Sequence, residues 1–353
     1  TNTLKGALSA STGNIAIGSE ALNDLTTGDD NVVIGHNAGD VLTSVSDCIF
    51  IGTDAGGAVT TGNSSDGSIA IGNGALSGAA IGIGNIAIGL SALTGANAAG
   101  LHRNTVLGHT AMSAVGSQNP TDNVVIGWEA GKAMTTNSYN VAIGSKAMHV
   151  ANGNENVNVA IGYQAMLSVN EDACDGNIAI GSALTGGAGA LIGCVAIGDG
   201  ALDATGAFSH TGTIAIGQNA LGALTGTVNG GSIGGVGNTA IGHSAGASMT
   251  NNTYNTIMGY EAFDGADAGE IQNTVIGAKA GGGASGGGSD NSVIVGYYAG
   301  FGGTGAIENC VVIGSQAMDG TGTNNIPSIN NVFIGKGSGG GTWENTQSAN
   351  NVA

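Results

Sequence analysis

One short phrase recurs along the whole 353-residue chain and constrains the fold more than any other feature. Asn14-Ile-Ala-Ile-Gly18 and Asn140-Val-Ala-Ile-Gly144 are two of its 18 copies. A short period of this kind indicates stacked repeats instead of two or three separate globular domains. The phrase ends on Gly18, Gly35, Gly52, Gly72, Gly89, Gly108, Gly127, Gly144, Gly162, Gly181, Gly198, Gly217, Gly242, Gly259, Gly277, Gly296, Gly314 and Gly335.

Most intervals between successive glycines of this series are 17 to 20 residues long. The longest, of 25 residues, precedes Gly242 and contains Asn229-Gly-Gly-Ser-Ile-Gly-Gly, where we expect a surface loop. Glycine accounts for 69 residues of the chain, but it does not recur at every third position, so a collagen triple helix is excluded.

The three residues before each repeat glycine are apolar or β-branched. Ile directly precedes the glycine in 15 of the 18 copies, with Leu107, Met258 and Val295 as the exceptions. The pattern predicts a short strand that is covered on both faces, with its Val and Ile side chains buried. A helix is disfavoured because glycine is too frequent and the apolar run too short.

The residues after each repeat glycine predict a corner followed by a turn. Ala stands three positions after the glycine in 16 copies, and Leu184 and Ser338 depart from this pattern. A stretch of Thr, Gly, Asn, Asp and Ser then leads to the next strand, as is typical of turns. We expect the repeat glycine to form a tight corner, with positive φ or with no room for a side chain.

These features predict an all-β protein, a parallel β-solenoid or β-roll of about 18 coils with a repeat of 17–25 residues. One coil alone cannot bury its apolar face, so the coils must stack. We expect a single continuous array over residues 1–353, with partial coils at 1–13 and 351–353, as in an interior segment of a longer fibre.

Asparagine stands directly before the strand in 12 copies, which predicts a ladder of side-chain amides that bond coil to coil. Cys48, Cys194 and Cys310 replace it in three copies, and Ser68, Thr213 and Ser292 in three others. The predicted ladder consists of Asn14, Asn31, Asn85, Asn104, Asn123, Asn140, Asn158, Asn177, Asn238, Asn255, Asn273 and Asn331.

The composition excludes several kinds of partner. Six Lys and Arg against 24 Asp and Glu give a formal net charge of −18, whereas binding to nucleic acid needs clustered positive charge. The apolar runs of four to six residues are far shorter than the ~20 residues that cross a bilayer, so we expect no membrane insertion.

The phrase Asn-x-Ala-Ile-Gly-x-x-Ala-Leu, clear at Asn14 to Thr27 and Asn140 to Met148, resembles two groups of repeats. It is similar to the head repeats of trimeric autotransporter adhesins of the YadA type. It resembles even more the long arrays in phage tail-fibre proteins. The resemblance implies a homotrimer of left-handed parallel β-rolls, although YadA-type repeats are shorter and more regular than these.

The resemblance implies a structural function. The first hypothesis is the shaft of a viral (phage) fibre in the virion, which takes part in host attachment. The alternative is a bacterial surface adhesin or extracellular filament of the trimeric autotransporter type.

The middle strand residue is apolar, as at Ala16, Val33 and Phe50, so the second strand face needs a cover from the same coil or a neighbouring chain.

No catalytic motif or cofactor site is recognisable, and we expect no enzymatic activity, cofactor or metal. Glycan hydrolysis along the shaft, a less favoured hypothesis, would need two carboxylates close together in a groove. Acidic residues precede the strands, as at Asp66 and Asp290. We expect them to be solvated turn residues and not calcium ligands, because no repeated calcium motif is present. Cys174 is the one conceivable disulfide partner of Cys194, and we expect free thiols.

One variable column stands out against the constant repeat. The position directly after the repeat glycine carries an aromatic or imidazole ring in seven copies and Ser, Gln, Asp or Lys in others. Such a column could contact a host receptor or glycan, or could pack against a neighbouring chain or form ordinary surface. The candidate contacts are His36, His109, Trp128, Tyr163, His243, Tyr260 and Tyr297.

Overall fold

The computed structural model describes residues 11–57, 66–78, 82–95, 101–116, 120–169, 174–185, 189–206, 209–225, 236–266, 269–283, 288–301, 305–320, 328–340 and 348–353. The loop expected at 229–235 and most of the partial coil 1–13 lie outside these residues. The chain forms two compact units, Thr1–Asp175 and Gly176–Ala353.

The described residues of the first unit contain nine three-residue strands, each placed directly before a repeat glycine. They are β1 (Ile15–Ile17), β2 (Val32–Ile34), β3 (Ile49–Ile51), β4 (Ile69–Ile71), β5 (Ile86–Ile88), β6 (Thr105–Leu107), β7 (Val124–Ile126), β8 (Val141–Ile143) and β9 (Val159–Ile161).

In the part of the second unit that the structure describes, nine strands are of the same kind: β10 (Ile178–Ile180), β12 (Val195–Ile197), β14 (Ile214–Ile216), β15 (Thr239–Ile241), β16 (Thr256–Met258), β17 (Thr274–Ile276), β18 (Val293–Val295), β20 (Val311–Ile313) and β22 (Val332–Ile334). Two-residue strands add short parallel pairings: β11 (Leu191–Ile192), β13 (His210–Thr211), β19 (Ile307–Glu308), β21 (Ser328–Ile329) and β23 (Ser348–Ala349).

Within each unit, every three-residue strand pairs in parallel with the next one, without a change of register. Ala16 of β1 lies opposite Val33 of β2, and Val33 lies opposite Phe50 of β3. The described residues contain no helix. The predicted fold class, an all-β parallel β-solenoid, is therefore confirmed for both units.

Positive backbone φ angles turn the chain at recurring positions of the coil. The residue before the ladder position is left-handed, as at Asp30 (φ 59°), and so are the second and fourth residues after the repeat glycine, as at Asn37 (54°) and Leu76 (55°). At these turns the backbone bonds to adjacent coils, and Asn37 N–H donates to the Ser19 carbonyl at 2.9 Å.

The repeat glycines form the expected corner. Gly198 has a φ of 129°, and a Cβ atom built on it would lie 2.7 Å from the carbonyl oxygen of Gly217 in the next coil. A Cβ on Gly52 would lie 2.6 Å from the Gly72 oxygen. Backbone thus packs directly on backbone at this corner, and no larger residue fits.

Several coils combine one large and one small residue in the interior, whereas Ile257 and Phe263 are both large, fully buried residues of one coil. The middle strand residue and the fourth residue after the glycine both point inward, and Ala70 stands with Leu76, both fully buried. In the neighbouring coil the sizes are reversed: the strand position is the large Phe50, and the turn position is Gly56. The shared volume explains why glycine replaces Leu or Met at this turn in some coils.

Two details of the sequence interpretation were wrong. The Val and Ile side chains at the two ends of each strand are not buried by their own chain: Ile17 is 57% and Val293 36% exposed, and only the middle residue is enclosed by the coil. Leu184 does not replace the turn alanine. Its N–H donates to the Ala201 carbonyl, as Leu202 N–H does to Ala220, so the segment from the repeat glycine to this leucine is one residue shorter than in the next coil.

Candidate binding surface

The asparagines before the strands form a buried hydrogen-bonded ladder in each unit. The Oδ1 atom of Asn104 accepts two bonds from Asn123, one from its backbone N–H at 3.1 Å and one from its Nδ2 at 3.0 Å. Asn123 Nδ2 also donates to the Asn137 carbonyl at 2.8 Å. The side-chain amide of each ladder residue thus bonds to the next coil at two places, the residue directly before the strand and the turn that precedes it.

Where asparagine is replaced, another side-chain acceptor takes the same place. Asn85 N–H donates to Ser68 Oγ at 3.2 Å, and Cys310 N–H donates to Ser292 Oγ at 3.1 Å. Asn331 N–H in turn donates to Cys310 Sγ at 3.4 Å. The column therefore serves to satisfy one backbone N–H in each successive coil.

The four cysteines are thiols outside any disulfide, and all four are buried. Burial raises the pKa of Cys48 to about 11, and burial also raises the pKa values of Cys194 and Cys310. Buried, protonated thiols of this kind are poor nucleophiles. No redox chemistry is indicated at these positions.

The acidic residues before the strands act as turn acceptors. Asp66 Oδ1 accepts the Ser46 N–H at 2.8 Å, and Asp290 Oδ1 accepts the Ile271 N–H at 2.9 Å. Among the residues that the structure describes, no three His, Cys, Asp or Glu side chains converge on a point that could hold a metal ion. These carboxylates join coil to coil instead.

A buried carboxyl that the sequence interpretation missed occurs once in each unit. Glu155 and Glu270 are fully buried, three residues before a ladder position, and each accepts a short hydrogen bond from an asparagine amide of the preceding coil, Asn137 and Asn252 respectively. The matching spacing of Asn and Glu in the two segments was the signal that could have revealed the pairs.

Six of the seven candidate contact residues lie in two runs of four successive coils, and His36 lies four coils before the first run. The first ring group consists of His109, Trp128 and Tyr163, which follow β6, β7 and β9. The second ring group consists of His243, Tyr260 and Tyr297, which follow β15, β16 and β18.

A cluster of charged side chains lies beside Trp128 in the first ring group. Glu129, next to Trp128, accepts a hydrogen bond from Lys132 Nζ at 2.7 Å, and its other oxygen lies 3.9 Å from Lys146 Nζ and 3.3 Å from His149 Nε2. The Lys132 bond lowers the pKa of Glu129. Lys146 Nζ also lies 4.8 Å from the centre of the Trp128 ring, at a distance typical of a cation–π contact.

The second ring group has a similar construction. The His243 and Tyr260 rings stack with their centres 5.2 Å apart, and Lys279 Nζ lies 3.1 Å from Glu261 Oε2. A hydrogen bond from Tyr260 and one from Lys279 lower the pKa of Glu261. A shallow depression lined by Asp203, Asn219 and Ser244, among others, adjoins this group at Ser244.

The two ring groups match coil by coil. In both groups the first residue after the glycine follows the same order over four successive coils. It is His in the first coil, an aromatic residue (Trp or Tyr) in the second, a small residue in the third and Tyr in the fourth. The small residues are Ser145 and Ala278. In the second and third of these coils, the next residue is Glu and then Lys. Each unit thus carries the same succession of rings and charges.

Comparisons with known proteins leave the family open. No protein-family model matches the chain, and no curated protein matches it. In the part of the chain that the structure describes, no helix is long and apolar enough to span a membrane. The chain is therefore characterised by its fold, as a parallel β-solenoid with a ring group in each unit.

Proposed function

We propose that this chain is a structural shaft segment of a homotrimeric viral fibre that takes part in host attachment. The observation that carries the proposal is the apolar outer face of the strand column. In both units the residue directly before each repeat glycine is Ile, Leu, Met or Val, and it points out of the coil. We refer to the two end residues of the three-residue strands as the outer stripe.

The outer stripe contains no charged residue. Its polar members are Thr105, Thr239, Thr256 and Thr274, and the rest are aliphatic or Met. A contiguous apolar surface of this kind is characteristic of a protein–protein interface. Because the stripe is repeated in every coil, its partner must present a matching apolar surface with the same coil-to-coil spacing.

A second copy of the same chain meets this requirement. Strands in neighbouring coils are ~4.8 Å apart in any copy, so the stripes of copies side by side stay in step. Closed rotational symmetry would cover the stripe of every copy. The proposal assigns three copies, in agreement with the repeat resemblance, and gives the chain no catalytic role.

The mass of the protein in solution tests the trimer. We expect a particle of three times 33.7 kDa by sedimentation or light scattering. Asp at both Ile126 and Ile143, two stripe positions, should dissociate it or make it insoluble. The matched control is Val157→Asp, because Val157 is an exposed aliphatic residue outside the stripe. A monomeric wild-type protein would refute the trimer.

Electron microscopy of the native material tests the setting. Threefold fibres attached to a capsid or tail are the expected result. Fibres rooted in a bacterial envelope would assign the chain to the alternative, a surface adhesin or extracellular filament. Either image would still agree with a stacked, non-enzymatic scaffold.

A further inference from the structure

We propose that each ring group is a binding platform for a neutral oligosaccharide chain, so that one protein chain carries two equivalent carbohydrate sites. The inference deepens the proposed fibre function, on which it rests for its setting at a host surface. It assigns the contact with that surface to the shaft itself.

The rings keep exposed surface for a ligand, with Lys146 over one face of Trp128 and His243 stacked on one face of Tyr260. Trp128 is 48% exposed, Tyr163 61%, Tyr260 51% and Tyr297 56%. The face of an aromatic ring carries partial negative charge. The C–H bonds on the face of a sugar ring carry partial positive charge, so an exposed ring is a stacking surface for a sugar.

The spacing of the rings suits an extended chain of sugars. Trp128 and Tyr163 are two coils apart, and so are Tyr260 and Tyr297, which places the two positions roughly 9.5 Å apart along the stack. This is close to the length of two sugar units in an extended oligosaccharide. Ser145 and Ala278, in the coil between, are small enough to leave that length open.

The charged side chains beside the rings suit sugar hydroxyl groups. Glu129 and Glu261 are acceptors, and Lys146 and Lys279 are donors, in the same two coils of each platform. Hydrogen bonds to charged groups are stronger than those between neutral groups. Because each carboxylate is already paired with a lysine, it can bind a hydroxyl without needing a charged ligand.

The charge of the whole protein favours a neutral ligand. With 24 acidic against six Lys and Arg residues, the chain repels polyanions such as acidic glycans or nucleic acids. A neutral oligosaccharide avoids this repulsion. The order of the residues, repeated in two separate places, points to one ligand chemistry for both sites.

Contact between copies explains the rings less well. Such a contact runs through every coil, as the outer stripe does. The rings of each platform occupy three of the nine coils in their unit, and the remaining positions of the column carry mostly polar residues in no regular order. A local ligand accounts for local clusters.

Binding of defined hexasaccharides tests the proposal. The probes are β-1,4-linked glucose, β-1,4-linked N-acetylglucosamine and α-1,4-linked glucose, with a heparin hexasaccharide as the polyanion. Calorimetry on the full chain should give two sites per chain for at least one neutral probe. In a Trp343→Phe background, Trp128 is the one remaining tryptophan, and its fluorescence should change on binding.

Substitutions should remove the sites one at a time. Trp128→Ala with Tyr163→Ala should leave one site per chain, Tyr260→Ala with Tyr297→Ala should do the same, and all four changes should abolish binding. Tyr163→Ala alone should weaken its site about tenfold, the loss expected for one stacked ring.

The matched control replaces Tyr139 and Tyr254 by Ala, because both are equally exposed tyrosines outside the two groups. Its binding should equal that of the wild type. Lack of binding to every neutral probe, preference for heparin, or full binding by the fourfold variant would overturn the proposal. A fourfold variant that loses its trimeric mass would do so too, by assigning the rings to contact between copies.

The two proposals can fail separately. A trimer that binds none of the neutral probes would reject the carbohydrate sites and leave the fibre function standing. A monomer that binds two hexasaccharides per chain would reject the trimer and leave the sites standing.

Discussion

The phenyl ring of Phe50 occupies the space that a side chain on Gly56 would need, since a Cβ atom on Gly56 would lie 3.0 Å from the ring. The next coil reverses the sizes, with Ala70 in the strand and Leu76 in the turn. In these two coils the interior volume is thus shared between two positions that are six residues apart. Their substitutions should be coupled.

Phe50→Ala combined with Gly56→Leu should be tolerated better than either change alone. Phe50→Ala leaves a cavity and should lower the free energy of unfolding by about 3 to 5 kcal/mol. Gly56→Leu overpacks the coil and should lower it by about 1 to 3 kcal/mol. The double variant recreates the pair Ala70 and Leu76 and should be more stable than Phe50→Ala. Urea unfolding followed by circular dichroism measures this, and additive losses would contradict the coupling.

The ladder predicts a different cost for two substitutions at Asn123. Asn123→Ala removes the acceptor of the Asn140 N–H and leaves the buried Asn137 carbonyl without its donor, which should cost about 3 kcal/mol or more. Asn123→Ser should cost less, because Ser68 shows that a hydroxyl can accept the N–H of the next coil. Hydrogen exchange of the Asn140 amide should be accelerated much more by Ala than by Ser.

The corner glycines predict a sharp contrast between two glycines of the second unit. Gly198→Ala places a methyl group against the Gly217 backbone at a φ that side chains rarely adopt, and should disrupt stacking at that coil. Gly212→Asn is the control, because no atom lies within 4 Å of its Cβ position and Asn accepts its φ of 61°. We expect a large fall in melting temperature for the first variant and a small change for the second. Equal effects would argue against direct backbone packing at the corner.

The buried thiols predict slow alkylation in the folded protein. With its pKa raised to about 11, Cys48 is about one-thousandth thiolate at pH 8, and the thiolate is the reactive form. Iodoacetamide labelling followed by mass spectrometry should modify all four cysteines only after denaturation, while an exposed His36→Cys control reacts at once. Rapid labelling of native Cys48 would show that its coil opens.

The same thiol gives a pH dependence of stability. In the unfolded chain Cys48 has its ordinary pKa of 9.0, so between pH 9 and about 11 the native state binds the proton more tightly than the unfolded state. The free energy of unfolding should therefore fall as the pH rises through this interval. In Cys48→Ser this part of the decrease should disappear, and an unchanged pH profile would contradict the assignment.

The repeat predicted the strands and the corner because both depend on local, recurring residues. Each three-residue strand ends directly before its glycine, as expected, and the glycines leave no room for a Cβ. The outward direction of the strand ends, as at Leu107, was not predictable from the apolar run alone. An apolar run is the same whether its second face is covered by its own coil or by another molecule.

The interior pairs, the shortened corner at Leu184 and the buried Glu155 were harder to predict for different reasons. Phe50 and Gly56 are informative only when compared with Ala70 and Leu76, and so they require the coils to be aligned by structure. Leu184 was wrongly interpreted as a replacement of the turn alanine, because a deletion of one residue looks like a substitution when positions are counted from the glycine. Glu155 was missed because a single buried carboxyl in a loop resembles any solvated acid.

The corner at which backbone meets backbone has a consequence for how such a protein can change. Within each unit, the described coils meet at the same glycine corner, so the corner cannot vary while the number of coils can. Removal of the 17 residues from His36 to Gly52 would rejoin one Ile-Gly step to the next and leave the surrounding layers intact. The length of such a protein can therefore change by the gain or loss of whole coils.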